Sequence, residues 1–243
     1  MKRCLQSCIA LALWAPALAS AGPVLETEPN NSLAGAQSVD GHFTLDFSPD
    51  IGNGTHVDNT SLTIPHVTVL GSGDGSFDYY AFTFPGPGGT SGFVVLDIDH
   101  SSPSFDSHVA LWAPNGDLLG HNGDYDYRGG AGGSALHYSG VVSFDSLMTT
   151  YISAPGLYVV GVARAMTSPG PGPGAYSGGE PLVGDAYTLQ ISVEGVPVVP
   201  EPGPWMLMAL GLGALACWRQ HRAIPGRLDH RCPDGSRACL VRA

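Results

Sequence analysis

One short run of side chains, from His121 to Tyr127, has the spacing of a metal-binding loop. Asp124 and Asp126 lie two positions apart and follow Gly123, which is typical of the oxygen ligands in calcium loops. The Gly-x5-Glu continuation of an EF-hand is absent, and Asn, Gly and Asp are also common turn residues. We therefore expect a surface turn between strands here, with a calcium loop as the less favoured alternative.

The sequence lacks the common catalytic motifs. Histidines between residues 22 and 200 are scattered, with no His-Glu-x-x-His motif and no pair at the spacing of metal ligands. No Gly-x-Ser-x-Gly elbow occurs either. Members of a Ser-His-Asp triad need only meet in space, so a secreted hydrolase stays as an alternative. We expect a protein without enzymatic activity.

Acidic residues are concentrated in one part of the chain. Eighteen of the 21 Asp and Glu residues lie between residues 22 and 200, with only Arg128 and Arg164 of the ten Lys and Arg residues, so this region has a formal charge of −16. Nucleic acids and anionic membrane surfaces repel such a charge. We therefore expect no nucleic-acid partner, and a soluble domain to which divalent cations are attracted.

The same region has the pattern of an all-β domain, because its apolar residues fall into short runs separated by Gly, Pro, Asn and Asp. Tyr80, Phe82 and Phe84 alternate with residues of the opposite face, as in a strand with one buried side. The predicted fold is one antiparallel β-sandwich, jelly-roll-like, over residues 22–195. The predicted strands are 42–47, 66–70, 78–84, 92–98, 108–112, 118–121, 140–144, 156–164 and 186–193.

Two features lie outside this strand pattern. Segments 50–61 and 168–184 are rich in Gly, Pro or polar residues and are predicted to be insertions that bury little apolar surface. Four aromatic residues could form a platform that stacks on the sugars of an exopolysaccharide. They are Trp112, Tyr125, Tyr127 and Tyr138. Trp112 lies in an apolar strand, so we expect it in the core rather than in this platform.

The N-terminus has the features of an export signal. Lys2 and Arg3 precede an apolar stretch at 9–18, and small residues at 17–21 offer a cleavage site, which predicts a secretory signal peptide at 1–21. All five cysteines lie outside residues 22–200. An exported domain would therefore have no disulfide to stabilise it.

The C-terminal region combines a short polar signature, an apolar segment and a basic end. The signature is Val199-Pro200-Glu201-Pro202, the apolar segment covers 205–218, and Arg219 and Arg222 follow it. Features in this order resemble the PEP-CTERM sorting signal that exosortases of Gram-negative bacteria recognise and cut. An apolar segment of 14 residues is short for a hydrocarbon core of about 30 Å, but flanking Arg side chains can reach the interface.

The resemblance implies how the chain is organised and delivered. A linker at 196–204 would contain the motif, residues 205–218 would form a transmembrane sorting helix, and residues 219–243 a basic cytoplasmic tail. An exosortase would be the partner that processes the chain. The protein would be held briefly in the inner membrane and would end at the cell surface or outside the cell.

Most of residues 24–194 also resemble the bacterial pre-peptidase C-terminal domains, small β-sandwiches often attached to secreted proteases. The opening Glu-Thr-Glu-Pro-Asn-Asn-Ser, the strand Asp-Tyr-Tyr-Ala-Phe, a central hairpin and a Pro-Gly turn into a late strand carry this resemblance. These similar segments are 26–32, 78–82, 106–119 and 155–160.

Some members of that family bind calcium through the opening acidic motif and carboxylates near the aromatic strand. The chemistry is suitable, since calcium takes six to eight oxygen ligands. The alternative is that these residues are solvated charges and a turn. We expect a non-catalytic surface or extracellular-matrix protein with calcium as its ion and exopolysaccharide as an alternative ligand. The oxygen donors that the resemblance implies are Glu26, Glu28, Asn30, Asn31, Asp74 and Asp78.

Overall fold

The computed structural model describes residues 22–52, 58–86, 91–123, 125–126, 142–170 and 176–199, and residues 208, 211–213, 215 and 218 of the tail. Strands account for most of the regular structure in these residues, which confirms the all-β prediction. A short 3-10 turn lies at Leu33–Gly35. The strands are β1 (Val24–Leu25), β2 (Gln37–Ser38), β3 (His66–Ser72), β4 (Asp78–Phe84), β5 (Gly92–Asp99), β6 (Ser107–Trp112), β7 (Leu118–Asn122), β8 (Tyr125–Asp126), β9 (Val142–Ser143), β10 (Leu147–Ile152), β11 (Gly156–Arg164), β12 (Ser168–Pro169), β13 (Tyr176–Ser177) and β14 (Ala186–Val193).

Ten of these strands form two five-stranded sheets. Sheet I has the order β1-β3-β14-β5-β10 and sheet II the order β2-β4-β11-β6-β7. The short edge strands β1 and β2 pair parallel with β3 and β4, so the sheets are mixed rather than purely antiparallel as predicted. If only the eight longer strands are counted and numbered 1 to 8 along the chain, their order is 1-8-3-6 in sheet I and 2-7-4-5 in sheet II. This is the strand order of a jelly roll.

The main core lies between the two sheets. In the long strands other than β7, alternate residues point inward and are mostly buried, among them Phe82 of sheet II and Leu96 and Ile191 of sheet I. One apolar cluster contains side chains from both sheets, so the sheets pack face to face as a sandwich. Tyr80, Phe82 and Phe84 lie in this cluster, as their alternation predicted.

A second apolar cluster covers the outer face of sheet II. Tyr79 and Trp112 are buried there under Tyr176, whose hydroxyl donates to the Gly161 carbonyl at 2.9 Å. The Trp112 Nε1 donates to the Gly170 carbonyl at 3.1 Å. Tyr176 is therefore an exception to the prediction that segment 168–184 buries little apolar surface, because its ring packs against those of Phe77, Tyr79 and Trp112. Trp112 is buried in this second cluster, so it cannot belong to a sugar-binding platform.

The outer face of sheet I is also covered in part. The backbone of Thr44 bridges to His66, and Ile51 and Ser61 are buried. In the described residues of the predicted insertion 50–61, Ile51 is thus an exception to the expectation that little apolar surface is buried. The predicted strand 42–47 is reduced to the bridge at Thr44.

Sequence periodicity located the long strands but missed others. Strands β4, β11 and β14 have the predicted bounds. Strand β10 was not predicted, and only Val142–Ser143 of the predicted strand 140–144 is a described strand. The two-residue edge strands were also missed.

The predicted signal peptide at 1–21 lies outside the described residues, as does most of 205–218. Within the described residues, we find no helix with the length and apolar character needed to cross a membrane. The chain divides into two compact units between Glu201 and Pro202.

Candidate functional site

The N-terminal segment is placed at one end of the sandwich by its pairing with β3. Val24 and Leu25 pair with Val69 and Leu70, and the Glu26 N–H donates to the Leu70 carbonyl at 3.1 Å. Val24 points into the core. The carboxylate of Glu26, two residues further along the chain, accepts a hydrogen bond from the Tyr80 hydroxyl of sheet II.

Three carboxylates meet at this end. One oxygen each of Glu26, Glu28 and Asp78 lies within 4.8 Å of the other two. Asp78 is the first residue of β4 and is fully buried, Glu26 is partly buried, and Glu28 is exposed. The group therefore reaches from the end of the core to the surface, so an ion from solvent could enter it.

Asn30 is the fourth member of this arrangement and is fully buried. Its side-chain Nδ2 donates to Glu26 Oε1 at 3.1 Å, and its backbone N–H donates to Glu28 Oε2 at 2.9 Å. Its backbone carbonyl accepts from the Tyr79 N–H at 3.2 Å. The amide oxygen Oδ1 is buried and accepts no hydrogen bond. We call Glu26, Glu28, Asn30 and Asp78 the N-terminal acidic site.

Two phenols connect Asp78 to Glu26. Asp78 Oδ2 lies 2.6 Å from the Tyr187 hydroxyl, which lies 2.8 Å from the Tyr80 hydroxyl. The Tyr80 hydroxyl lies 2.6 Å from Glu26 Oε1. Three oxygen–oxygen contacts need three hydrogens, and the phenols supply two. A protonated carboxyl at either end of this chain, Asp78 or Glu26, would supply the third.

Asp78 is the carboxyl most suited to hold this proton. Burial, and then the charge of Glu26, raise its pKa to about 8. Its second oxygen, Oδ1, is buried and has no hydrogen-bond partner. Burial also raises the pKa of Glu28, with further contributions from Asp74 and Glu26. The site is short of positive charge and of hydrogen-bond donors.

The two remaining predicted ligands, Asp74 and Asn31, are not members of the N-terminal acidic site. Asp74 acts on Glu28 and Asp78 through its charge, but it lies outside the group of three close carboxylates. Asp74 Oδ1 accepts from the backbone N–H and the hydroxyl of Ser76, at 2.8 and 2.6 Å. Asn31 Oδ1 accepts from the Asn30 N–H at 3.0 Å.

Glycines shape the loop and strand that face this site. A Cβ at Gly71 would lie 2.2 Å from Tyr187 Cζ, so only glycine lets the Tyr187 ring cross β3 at this point. Gly75 has φ of +94° and its N–H donates to the Pro181 carbonyl at 2.9 Å, which fixes the turn that carries Asp74.

These residues have the types of oxygen atom that calcium prefers as ligands. Glu26, Glu28, Asp78 Oδ1 and Asn30 Oδ1 are all oxygen donors, and the last two have no other partner. Calcium prefers carboxylate and amide oxygens and completes its shell with water. A cation bound between them would give both buried oxygens a partner, and its charge would oppose protonation of Asp78.

The structure also brings together two histidines that the sequence gave no reason to pair. His108 Nε2 lies 3.2 Å from His121 Nδ1 on neighbouring strands β6 and β7. Sequence spacing could not predict this pair, because a diagonal cross-strand pair has no signature in it. Burial, and then His121, lower the pKa of His108 to about 4, which keeps it neutral near pH 7.

Several predicted candidates cannot be placed. Asp124, Tyr127 and Tyr138 lie outside the described residues, and for Tyr125 and Asp126 only the backbone strand β8 is described. The calcium-like run at 121–127 and the tyrosine platform therefore stay predictions. The sorting-motif residues Pro200, Glu201 and Pro202 and the basic residues Arg219 and Arg222 are outside the described residues as well.

Comparison with known proteins supports the sorting signal. Residues 198–223 match the PEP-CTERM protein-sorting motif. The match includes Val199-Pro200-Glu201-Pro202, Arg219 and Arg222, which the sequence had singled out. No curated protein was found to match the chain. The motif implies an extracellular protein that an exosortase sorts at the membrane.

Proposed function

We propose that this protein is a non-catalytic module of the cell surface or extracellular matrix, and that its sandwich binds calcium at the N-terminal acidic site. The matched sorting motif supplies the delivery route. An exosortase cuts the chain near Pro200 and Pro202 after export, and the acidic domain is then anchored or released among exopolysaccharides.

The observation that carries the calcium proposal is the pair of buried oxygens without partners, Asp78 Oδ1 and Asn30 Oδ1, beside three close carboxylates. A solvated cluster of charges would not need to bury such atoms, since an unpaired buried acceptor costs about 1–3 kcal/mol. The resemblance of residues 24–194 to pre-peptidase C-terminal domains agrees with this proposal.

Calcium would also replace a missing covalent constraint. Segment 22–200 contains no cysteine, so no disulfide links the N-terminal segment to the sheets. Glu26 instead accepts hydrogen bonds from Tyr80 of sheet II and from the Ser72 N–H of sheet I. An ion at this point would join β1, β3 and β4 at one end of the sandwich.

The first test is a thermal melt of the full-length protein in detergent, with a chelator and with added calcium. We expect calcium to raise the melting temperature, because an ion that binds only the folded state stabilises it by RT ln(1 + [L]/Kd). Glu28→Ala should reduce this rise, since Glu28 is an exposed ligand whose loss leaves the core intact.

The matched control is Glu180→Ala, a glutamate that is not a member of the three-carboxylate group. It should leave the calcium-dependent rise unchanged. The same melting temperature with chelator and with calcium would contradict the proposal, as would equal effects of Glu28→Ala and Glu180→Ala.

A second candidate function is carbohydrate binding, at a different place from the predicted tyrosine platform. A cavity of about 360 Å³ lies between the segment 42–50 and sheet I. Its lining includes the exposed ring of Phe47 and two imidazole–carboxylate pairs. These pairs are His66 with Asp46 at 3.5 Å and His100 with Asp50 at 3.4 Å. The backbone of His100 has φ of 53°, an uncommon conformation for a residue other than glycine.

This lining is suited to sugars, because an aromatic face can stack on a sugar ring while carboxylates and imidazoles bond to its hydroxyls. We expect Phe47→Ala to weaken retention of the full-length protein on a panel of bacterial exopolysaccharides. Tyr151→Ala, which removes an exposed ring from β10, is the control. Equal retention of both variants and the unchanged protein would remove the cavity as a sugar site.

A further inference from the structure

A row of buried acidic residues crosses the outer face of sheet I. In the strand register, Asp97 of β5 is opposite Gln190 of β14, and Asp99 is opposite Thr188. Asp145 lies two residues before β10 and extends its register toward Asp99, because Leu147 is opposite Asp97. Asp97, Asp99 and Asp145 are each at most 3% exposed. We call Asp97, Asp99, Asp145 and Gln190 the sheet I acidic row.

Two oxygens in the row lack any hydrogen-bond donor. Asp97 Oδ1 and Gln190 Oε1 are buried without a partner. Gln190 is 2% exposed and lies directly across the strand pair from Asp97, on the same face. Gln190 is not acidic, so its unpartnered oxygen is an observation independent of the carboxylates. Two buried acceptor oxygens on one cross-strand pair need a hydrogen-bond donor or a cation between or beside them.

No basic side chain of the described residues meets this need. Arg164 is the one Lys or Arg between residues 22 and 199 that the structure describes, and it bonds to Asp185 and to the Ser104 carbonyl. His100 lies against Asp50. Burial raises the pKa of Asp97 well above its usual range, and the charges of Asp99, Asp145 and Asp50 raise it further. Among the groups that the structure describes, only a proton or a cation is left to neutralise Asp97.

We propose that the sheet I acidic row holds a second divalent cation of the oxygen-preferring kind, such as Ca²⁺. Asp97 Oδ1 and Gln190 Oε1 are its first two ligands, and Asp99 and Asp145 supply further negative charge at the same end of β5. Carboxylate and amide oxygens suit calcium rather than a metal that prefers sulfur or nitrogen. The row shares no residue with the N-terminal acidic site.

Such an ion would connect parts of the chain that the first site does not reach. Ser146, next to Asp145, accepts the Ile98 N–H through its carbonyl at 2.9 Å and shares hydrogen bonds with Ser107 of β6. Its hydroxyl also donates to the Gly123 carbonyl at the end of β7. The ion would thus lie beside a junction where β5, β6, β7 and β10 come together.

The test is the number of calcium ions bound per chain by the full-length protein, measured by equilibrium dialysis with ⁴⁵Ca²⁺. We expect two ions in the unchanged protein. Asp97→Asn should lose one ion, and Glu28→Gln with Asp78→Asn should lose the other. The three substitutions together should abolish binding. Asp117→Asn, in the exposed turn between β6 and β7, is the matched control and should keep both ions.

Asp97→Asn keeps the side-chain shape and relieves repulsion between carboxylates, so the variant should fold. Gln190→Met provides a second test, because it removes the amide oxygen from the row. It should weaken binding of the second ion at least tenfold. If Asp97→Asn and Gln190→Met leave binding unchanged, protons alone neutralise the row and the second site is wrong. If the unchanged protein binds one ion and Asp97→Asn abolishes it, the second site stands and calcium binding at the N-terminal acidic site fails.

Discussion

A buried carboxyl linked to two phenols determines how the N-terminal acidic site responds to pH. Asp78 is fully buried, and the contacts that run from it through Tyr187 and Tyr80 to Glu26 are one hydrogen short unless a carboxyl is protonated; the raised pKa of Asp78 assigns that proton to it. A calcium ion on Asp78 Oδ1 would displace that proton. Proton and ion therefore compete for Asp78, so stability and calcium affinity should each change with pH in a direction that can be measured.

Without calcium, stability should fall as pH rises from about 4 to about 8. The pKa of Asp78 is raised to about 8 in the folded protein against 3.8 for the ordinary group, so the folded state binds its proton more tightly. The free energy of unfolding is then highest at low pH and decreases by up to about 1.4 kcal/mol per pH unit in that window. Urea unfolding in chelator from pH 5 to 8 would measure this slope.

The variant Asp78→Asn should reduce the slope, and Asp117→Asn, with an exposed carboxyl, should leave it unchanged. With calcium the sign reverses, because the ion binds the ionised carboxylate and its affinity should rise with pH. Calorimetric titration of calcium in buffers of different ionisation enthalpy should detect about one proton released near pH 7. A slope that is the same in Asp78→Asn and in the unchanged protein would refute the protonation of Asp78.

Among the elements, the sequence predicted those with strong alternation and missed those defined by contact alone. Strands β4, β11 and β14 were predicted with their bounds because their aromatic and β-branched residues alternate or form a continuous apolar run. Strand β10, Leu-Met-Thr-Thr-Tyr-Ile, shows little alternation. Edge strands of two residues have no period to detect.

The candidate site was predicted only where a family pattern exists. Glu26, Glu28, Asn30 and Asp78 came from the resemblance of the opening segment, and the structure brings them together. Tyr187 was missed because it is 109 residues from Asp78 in the chain. The sheet I acidic row was missed for a similar reason, since the pairing of Asp97 with Gln190 depends on strand register.

The segment around β13 should stabilise sheet II although its composition resembles a loop. Tyr176 is buried against Trp112, Tyr79 and Phe77, with ring centroids 5.2 to 5.9 Å apart. We expect Tyr176→Ala to lower the free energy of unfolding by about 3–5 kcal/mol, as for other buried aromatic residues. Tyr176→Phe should cost about 1 kcal/mol, since it loses only the bond to the Gly161 carbonyl.

Denaturant unfolding followed by tryptophan fluorescence would measure both values. Tyr151→Ala, at an exposed ring of β10, is the control and should change stability by less than about 0.5 kcal/mol. A cost for Tyr176→Ala as small as that of Tyr151→Ala would mean that the segment is a dispensable insertion.

For the whole molecule, charge is divided between the domain and its tail. Residues 22–200 have a formal charge of −16, whereas residues 203–243 contain six arginines and two aspartates. The sorting motif begins where the domain ends: Val196 is buried in the core, and the Val199 N–H donates to the Phe43 carbonyl at 2.8 Å. Among the described residues, the domain thus keeps a backbone contact as far as Val199, within the matched motif.

This division predicts what processing does to the exported protein. In a Gram-negative host with an exosortase, mass spectrometry should find a new C-terminus near Pro200–Pro202, and isoelectric focusing should show a more acidic product because the six arginines are lost. Glu201→Ala should leave the full tail in place, since it alters the recognised motif, whereas Glu194→Gln, on the domain side, should be processed normally. In a host without an exosortase all of the exported protein should keep its C-terminus. If that intact form is the only product in both hosts, the tail acts as a permanent anchor, and cleavage is no part of its function.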